Sequence, residues 1–272
     1  TYTATRLTVS VWGNETQVVR ERVERADGGE MILVDETWSM VGNGRRIEMG
    51  DSPTGLAFMT NRTPFATDRY AIGETTKVAH MKRPCTLIEI LEGDDLRAHM
   101  IVDDRTGAPL ITYVYDGDGR AFRQVSLSDF KPHRTYEWPQ DRASVPLEIV
   151  MKTDSEAMPT SVAGYGLVDA FPGPADSDQG FYTDGLFSFS LFALPAGAVV
   201  EGFDDPSTFV TDGGVYDLVP TAKDVRVQWT TDDHQMILVG DLPPDHLTEV
   251  LAGLPEPDNR SMLARWWNRL FG

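Results

Sequence analysis

The sequence predicts a mainly β protein with an α+β second part, and three observations predict it. Short apolar runs alternate with polar residues, as at the start, where Leu7, Val9 and Val11 share one parity. Asp/Gly-rich turns punctuate these runs at hairpin spacing. A single clear helical period, Leu247, Val250, Leu251 and Leu254, comes only near the end.

In order along the chain, a Gly13-Asn14 turn follows the first strand, then a polar strand near 16–26. Asp27-Gly28-Gly29 turns into Met31–Val34. Ile47 and Met49 predict another strand and Leu56–Met59 a short one. Residues 60–83 read as irregular, with room for a short helix or a flap. Residues 85–130 form the clearest meander: four strands separated by Glu92-Gly93-Asp94, Asp103–Gly107 and Asp116–Gly119. Apolar residues on both parities, such as Leu87 with Leu91 and Ile88 with Ile90, predict a sheet partly covered on both faces. Pro132, Pro139, Pro146 and Pro159 mark a linker, with one strand at Leu147–Met151.

The second part opens with a Gly/Pro-rich stretch at 164–174. "GFYTDGLFSFSLFAL" (180–194) then sets the aspartate-glycine pair Asp184-Gly185 before an apolar run. Phe187, Phe189, Leu191 and Ala193 share one parity, Ser188, Ser190, Phe192 and Leu194 the other, so a core strand after a turn is preferred over an active-site aspartate. The run is too short for a membrane helix, which takes about 20 apolar residues. Strands near 207–211, 214–219, 225–230 and 235–240 lead to a helix that starts at Pro243-Pro244, where a missing N–H costs nothing, and stops at Gly253-Leu254-Pro255. In the tail, Met262, Leu263, Trp266, Trp267, Leu270 and Phe271 cover about half of a helical wheel flanked by Arg265 and Arg269. Docking on its own domain is the plainer reading; contact with a membrane surface or a partner groove through Trp266 and Trp267 is the other.

The 272 residues suffice for about two domains. Hydrophobic content of 41% and charged content of 24% are those of a water-soluble globular protein. The net charge is −18 and every acidic residue precedes Asn259, so the body of the chain repels phosphate and no nucleic-acid partner is expected. Cys85 is the only cysteine; it excludes an internal disulfide and leaves the compartment open. Any signal peptide or membrane anchor would lie upstream of Thr1.

Motifs for catalysis are absent: no HExxH, G-x-S-x-G, Walker A or G-x-G-x-x-G. His80, His99, His133, His234 and His246 are scattered and read as structural rather than metal-binding. Asp116-Gly-Asp118-Gly lacks the remaining ligands of a calcium loop and reads as a hairpin turn. Three glycosylation sequons, at Asn14, Asn61 and Asn259, are weak signals. No enzyme, metal or cofactor is predicted.

From "RYAIG" to "SLSDF", Arg97, Asp103, Thr106, Gly107, Pro109, Leu110, Asp116 and Gly119 follow a recognisable order, with "VAHMKR" where the pattern has "VAGR". "YTDGLFSFSLFAL" and "VGDLPPDHLTEVLAGL" follow in the second part. Together these resemble the RseB/MucB family. The resemblance implies a LolA-like curved antiparallel half-barrel at 1–135, a linker at 136–158, a smaller RseB-type α+β domain at 159–256 and an amphipathic helix at 257–272. It implies an extracytoplasmic, non-enzymatic regulator in envelope-stress signal transduction. Such a protein binds the outer domain of a membrane anti-sigma factor, and lipidic or envelope-stress ligands release it.

On this reading, Leu7, Val9, Val11, Met31 and Leu33 are candidates for an apolar concavity, with plain sheet core an equal alternative. Tyr182, Asp184 and Gly185 are candidates for a partner-contact edge, with a purely structural turn the stronger alternative. A LolA-like carrier of lipid or lipoprotein is the rival function, an unrecognised hydrolase the third, and self-association is left open.

Overall fold

The structure, a computed structural model, describes residues 1–26, 29–34, 37–42, 45–49, 69–134, 158–172, 177–198, 200, 202–203 and 205–258; of 26, 29–34, 37–42, 45–49, 171 and 172 it describes the backbone alone. The chain divides into two compact units, Thr1–Val150 and Met151–Gly272.

The first unit is built on one antiparallel sheet. Its strands are β1 (Tyr2–Trp12), β2 (Glu15–Ala26), β3 (Gly29–Val34), β4 (Thr37–Gly42), β5 (Arg45–Met49), β6 (Tyr70–His80), β7 (Arg83–Glu92), β8 (Asp95–Asp103), β9 (Pro109–Tyr115) and β10 (Ala121–Pro132). Their order across the sheet is β5-β4-β3-β2-β1-β10-β9-β8-β7-β6. Consecutive strands are neighbours except β5 and β6, which form the two edges, and the sheet is joined at a β1–β10 seam that runs from Tyr2 opposite Pro132 to Ser10 opposite Arg123. Tyr2, Ala4, Val23, Cys85, Ala108, Leu110 and Leu127 form a buried apolar cluster. Cys85 is fully buried packing, as its place in an apolar strand pattern predicts.

The second unit carries an eight-stranded antiparallel sheet. Its strands are β11 (Ser161–Val162), β12 (Tyr165–Pro172), β13 (Asp178–Thr183), β14 (Ser188–Pro195), β15 (Ser207–Thr211), β16 (Gly214–Pro220), β17 (Val225–Thr230) and β18 (His234–Gly240). The order is β11-β12-β13-β14-β18-β17-β16-β15, and helix α1 (Pro244–Ala252) follows β18. The predicted apolar parity of 187–193 is the buried one: Phe187, Phe189, Leu191 and Ala193 are all core. Leu191 lies opposite Leu238, and Leu238 opposite Val227, so three strands share that apolar face. The buried side of α1, Leu247, Val250 and Leu251, completes this core. Each such leucine contributes about 1.5–3 kcal/mol of burial.

One expectation needs correction. Residues 70–80 are not irregular but form β6, an edge strand. Most of its side chains are exposed, so the alternation that marks a half-buried strand is missing. The Gly/Pro-rich stretch at 164–174 contains β12, which starts after a turn in which Ala163 and Gly164 both have positive φ. The expected strands at Leu56–Met59 and Leu147–Met151, and the tail from 259 onward, lie outside the described residues.

Candidate functional site

In the first unit the pairing register builds continuous rows across the sheet. Val9 lies opposite Val18 on one side and Gln124 on the other. Gln124 is opposite Tyr113, Tyr113 opposite His99, and His99 opposite Glu89. The neighbouring row runs Arg20, Leu7, Ser126, Ile111, Ile101, Leu87. Directly opposed residues share a face. This face is the more open one: Leu7 is 36% exposed, Val11 39% and Val18 59%, and Val9 is half-buried. The other parity of β1 is buried, at Tyr2, Ala4, Thr8, Ser10 and Trp12. Met31 is opposite Glu24 and Leu33 opposite Arg22, which pair with Thr3 and Thr5, so the backbone register puts all five predicted apolar residues on one side of the sheet.

Aromatic and imidazole groups cluster in and beside these rows. The ring of His99 lies 4.7 Å from that of Tyr113 and 5.5 Å from that of Tyr115. The Tyr115 hydroxyl and His99 Nδ1 are 2.9 Å apart. Burial holds the His99 imidazole below its ordinary pKa, against a smaller opposing pull from Glu89, and burial raises the Tyr115 phenol. A neutral imidazole beside two phenols makes this open face apolar with a few polar anchors.

The Asp103–Gly107 segment belongs to a turn. Asp103 Oδ1 accepts from Arg83 Nε at 2.7 Å, and Oδ2 accepts from Arg83 Nη2 at 3.0 Å. The Thr106 amide and hydroxyl also donate to Oδ2, at 2.9 and 2.7 Å. These bonds hold the fully buried carboxyl of Asp103 at a pKa of about 2. Gly107, at φ 69°, lets the chain reverse into β9. In the next hairpin Asp116 Oδ1 accepts the amides of Asp118 and Arg120, as a turn and not a metal loop would use it. Among the described residues no group of three or more His, Cys, Asp or Glu is placed to hold a metal ion, and no described helix is long and apolar enough to cross a membrane.

In the second unit, Tyr182, Asp184 and Gly185 come together in the β13–β14 turn, but only Gly185 is at the surface. Tyr182 is fully buried, stacked on Phe189 at 4.8 Å, and its hydroxyl donates to the Pro159 carbonyl at 2.9 Å. Burial pushes its phenol well above the ordinary range. Asp184 Oδ1 accepts the amides of Leu186 and Phe187 at 3.0 and 2.8 Å, an aspartate turn that fixes the entry to β14. Gly185 takes the positive φ of 98° that this turn needs. Tyr182 and Asp184 are therefore packing and turn residues.

Sequence reasoning missed what this turn is built against. His246, in the first turn of α1, is fully buried. Its Nδ1 lies 2.6 Å from the Tyr165 hydroxyl and 3.9 Å from Asp184 Oδ2, and its ring meets Phe187 edge-on at 5.2 Å. Tyr165, Asp184 and His246 are far apart in sequence, and no spacing pattern links them. Trp266 and Trp267 lie outside the described residues.

No protein-family model matches this chain, and no curated protein matches it significantly. Solved structures do. A chain of the Pseudomonas aeruginosa MucA/MucB complex is 19% identical, with a TM-score of 0.57 and 94% of each chain covered. MucB in complex with MucA(peri) is 17% identical, with a TM-score of 0.50 and the same coverage. MucB alone is 15% identical, with a TM-score of 0.50, covering 94% of this chain and 92% of its own. The agreement reaches through both sheets, so over nearly its whole length this chain shares the fold of MucB.

Proposed function

We propose that this protein is an extracytoplasmic regulator that holds the outer segment of a membrane anti-sigma factor. The observation that carries the proposal is the fold shared with MucB in complex with MucA(peri) over 94% of both chains. Its role is binding, not catalysis: the buried titratable groups described above fix turns and strand pairs. The open face around Leu7, Val9, Val11, Ile111 and Tyr113 supports the finer part of the proposal, an apolar ligand such as an acyl chain that modulates partner binding. Burial of aliphatic chain on such a face is non-directional and contributes about 0.8 kcal/mol per methylene.

The test is affinity purification of the full-length protein from its native membrane, with mass spectrometry of co-purifying proteins and of extracted lipid. The expected result is a single-pass membrane protein with a sigma-binding segment on the cytoplasmic side. Stoichiometric lipid with no such partner would overturn the proposal and favour a lipid or lipoprotein carrier.

A further inference from the structure

Sheet edges are where a folded β protein exposes a row of unpaired backbone donors and acceptors, and proteins normally guard them. The described edges of this protein differ in how they are guarded. β6, one edge of the first sheet, has a register irregularity between Ile72 and Thr75 and presents exposed Glu74 and Lys77. β11, one edge of the second sheet, is only two residues long. β15, the other edge of that sheet, has none of these protections. Its sequence, Ser207-Thr208-Phe209-Val210-Thr211, contains no charge and no proline. Its pairing with β16 is regular over all five residues, from Ser207 opposite Leu218 to Thr211 opposite Gly214. Val210 on it is 67% exposed.

The surroundings of β15 say what would fit there. Acidic residues stand at both ends, Asp205 before the strand and Asp212 after it. Asp217 lies opposite Thr208 on β16. A second copy of this chain pairing antiparallel along β15 would bring the Asp205 end of one copy against the Asp212 end of the other. That arrangement repels. An extended segment with β-branched residues in its middle and Lys or Arg at its ends would complete the backbone ladder and neutralise the flanks.

We infer that β15 is a docking edge for an extended, basic-flanked segment of a protein partner, which adds a ninth strand to the second sheet. The inference rests on the proposed regulator role for the partner's identity, though not for the binding mode.

The first probe is a synthetic peptide of alternating Val and Thr with two Lys at each end, titrated onto the full chain. Hydrogen–deuterium exchange of residues 207–211 is expected to slow at least tenfold. A Glu-flanked version should bind at least tenfold more weakly. N-methylation of alternate peptide amides should abolish binding for one set and spare the other, a signature that side-chain contacts alone do not produce. No slowing at 207–211, or equal binding of the two peptides, overturns the inference.

The second probe is V210K, which places a guarding charge on an exposed site and should leave the circular dichroism and melting temperature unchanged. Capture from native membrane is expected to lose the membrane partner that wild type retains. Capture unchanged in V210K overturns the docking edge and leaves the regulator reading standing. No membrane partner on wild type defeats the regulator reading, while the peptide arms still decide the edge. Self-association of wild type that V210K abolishes assigns the edge to a second copy and overturns the inference.

Discussion

Replacing Asp103 by Asn tests whether the β8–β9 turn is held by charge. The wild-type carboxylate receives two bonds from Arg83 and two from Thr106. Its pKa falls from 3.8 to about 2, chiefly through the Arg83 bonds. A folded-state pKa below the unfolded one means the unfolded chain binds the proton more readily. The stabilisation is therefore complete above pH 3.8 and is lost as pH falls toward 2. The difference corresponds to about 2 kcal/mol at neutral pH. Asp103 is fully buried and the Arg83 side chain is 21% exposed, so solvent screens part of this on the arginine side only. Asn keeps the shape and can still accept from Thr106, so the Asp103→Asn penalty should be close to that figure at pH 7. It should shrink to a small remainder at pH 2, where the wild-type carboxyl is itself becoming neutral. Urea unfolding at pH 7, 3.5 and 2, followed by pulsed hydrogen–deuterium exchange of peptides covering 95–115, measures the first unit separately. A penalty as large at pH 2 as at pH 7, or one below about 0.5 kcal/mol at pH 7, would refute the charge argument.

Other outcomes follow from single contacts. Gly240→Ala would put a Cβ 2.5 Å from Phe189 Cβ and 2.7 Å from the Ser188 carbonyl. Strand β14 cannot yield there without losing its register, so the second unit should lose about 3 kcal/mol, read as a lower urea midpoint. Tyr165→Phe removes the hydroxyl 2.6 Å from His246 inside the core and should cost about 1–3 kcal/mol with the fold retained, checked by thermal melting and by the His246 ring resonances. His99 should titrate below the ordinary value of 6.5 by NMR, because burial favours its neutral form. Its contribution to stability is present above pH 6.5 and is lost as pH falls below it; a midpoint above 6.5 would contradict the packed face.

The meander at 85–130 was legible because its turns carry their own chemistry: Asp103 and Asp116 bond to the backbone that follows, and Gly107 and Gly119 take positive φ. The strand at 188–195 was legible because one parity is wholly apolar. β6 was not, because an exposed edge strand is held by backbone pairing and needs no alternation. β13 was not, because "DQGFYT" is short and carries Gly180, over which the Tyr182 ring lies: a Cβ there would come within 2.8 Å of it. The Asp184-Gly185 turn could be read locally, but its burial against His246 depends on where α1 returns, and no local pattern encodes that. The candidate apolar row could be read as a parity, while its openness to solvent could not, since alternation gives two faces and does not say which one is covered.

The β1–β10 seam has a consequence for how the first unit is reached from the unfolded chain. Strands β1–β5 and β6–β10 are two runs of nearest-neighbour hairpins, each able to form from local contacts. Among the described strands, the pairing of residues 2–10 with 123–132 is what hydrogen-bonds one run to the other. Bringing such distant segments together costs loop-closure entropy before any contact repays it, and non-local pairing of this kind is slow. Pairing of the two half-sheets is therefore expected to be slower than closure of the hairpins within each. Until that pairing forms, β1 and β10 each leave an open row of backbone donors and acceptors, the kind of edge along which a neighbouring chain can pair.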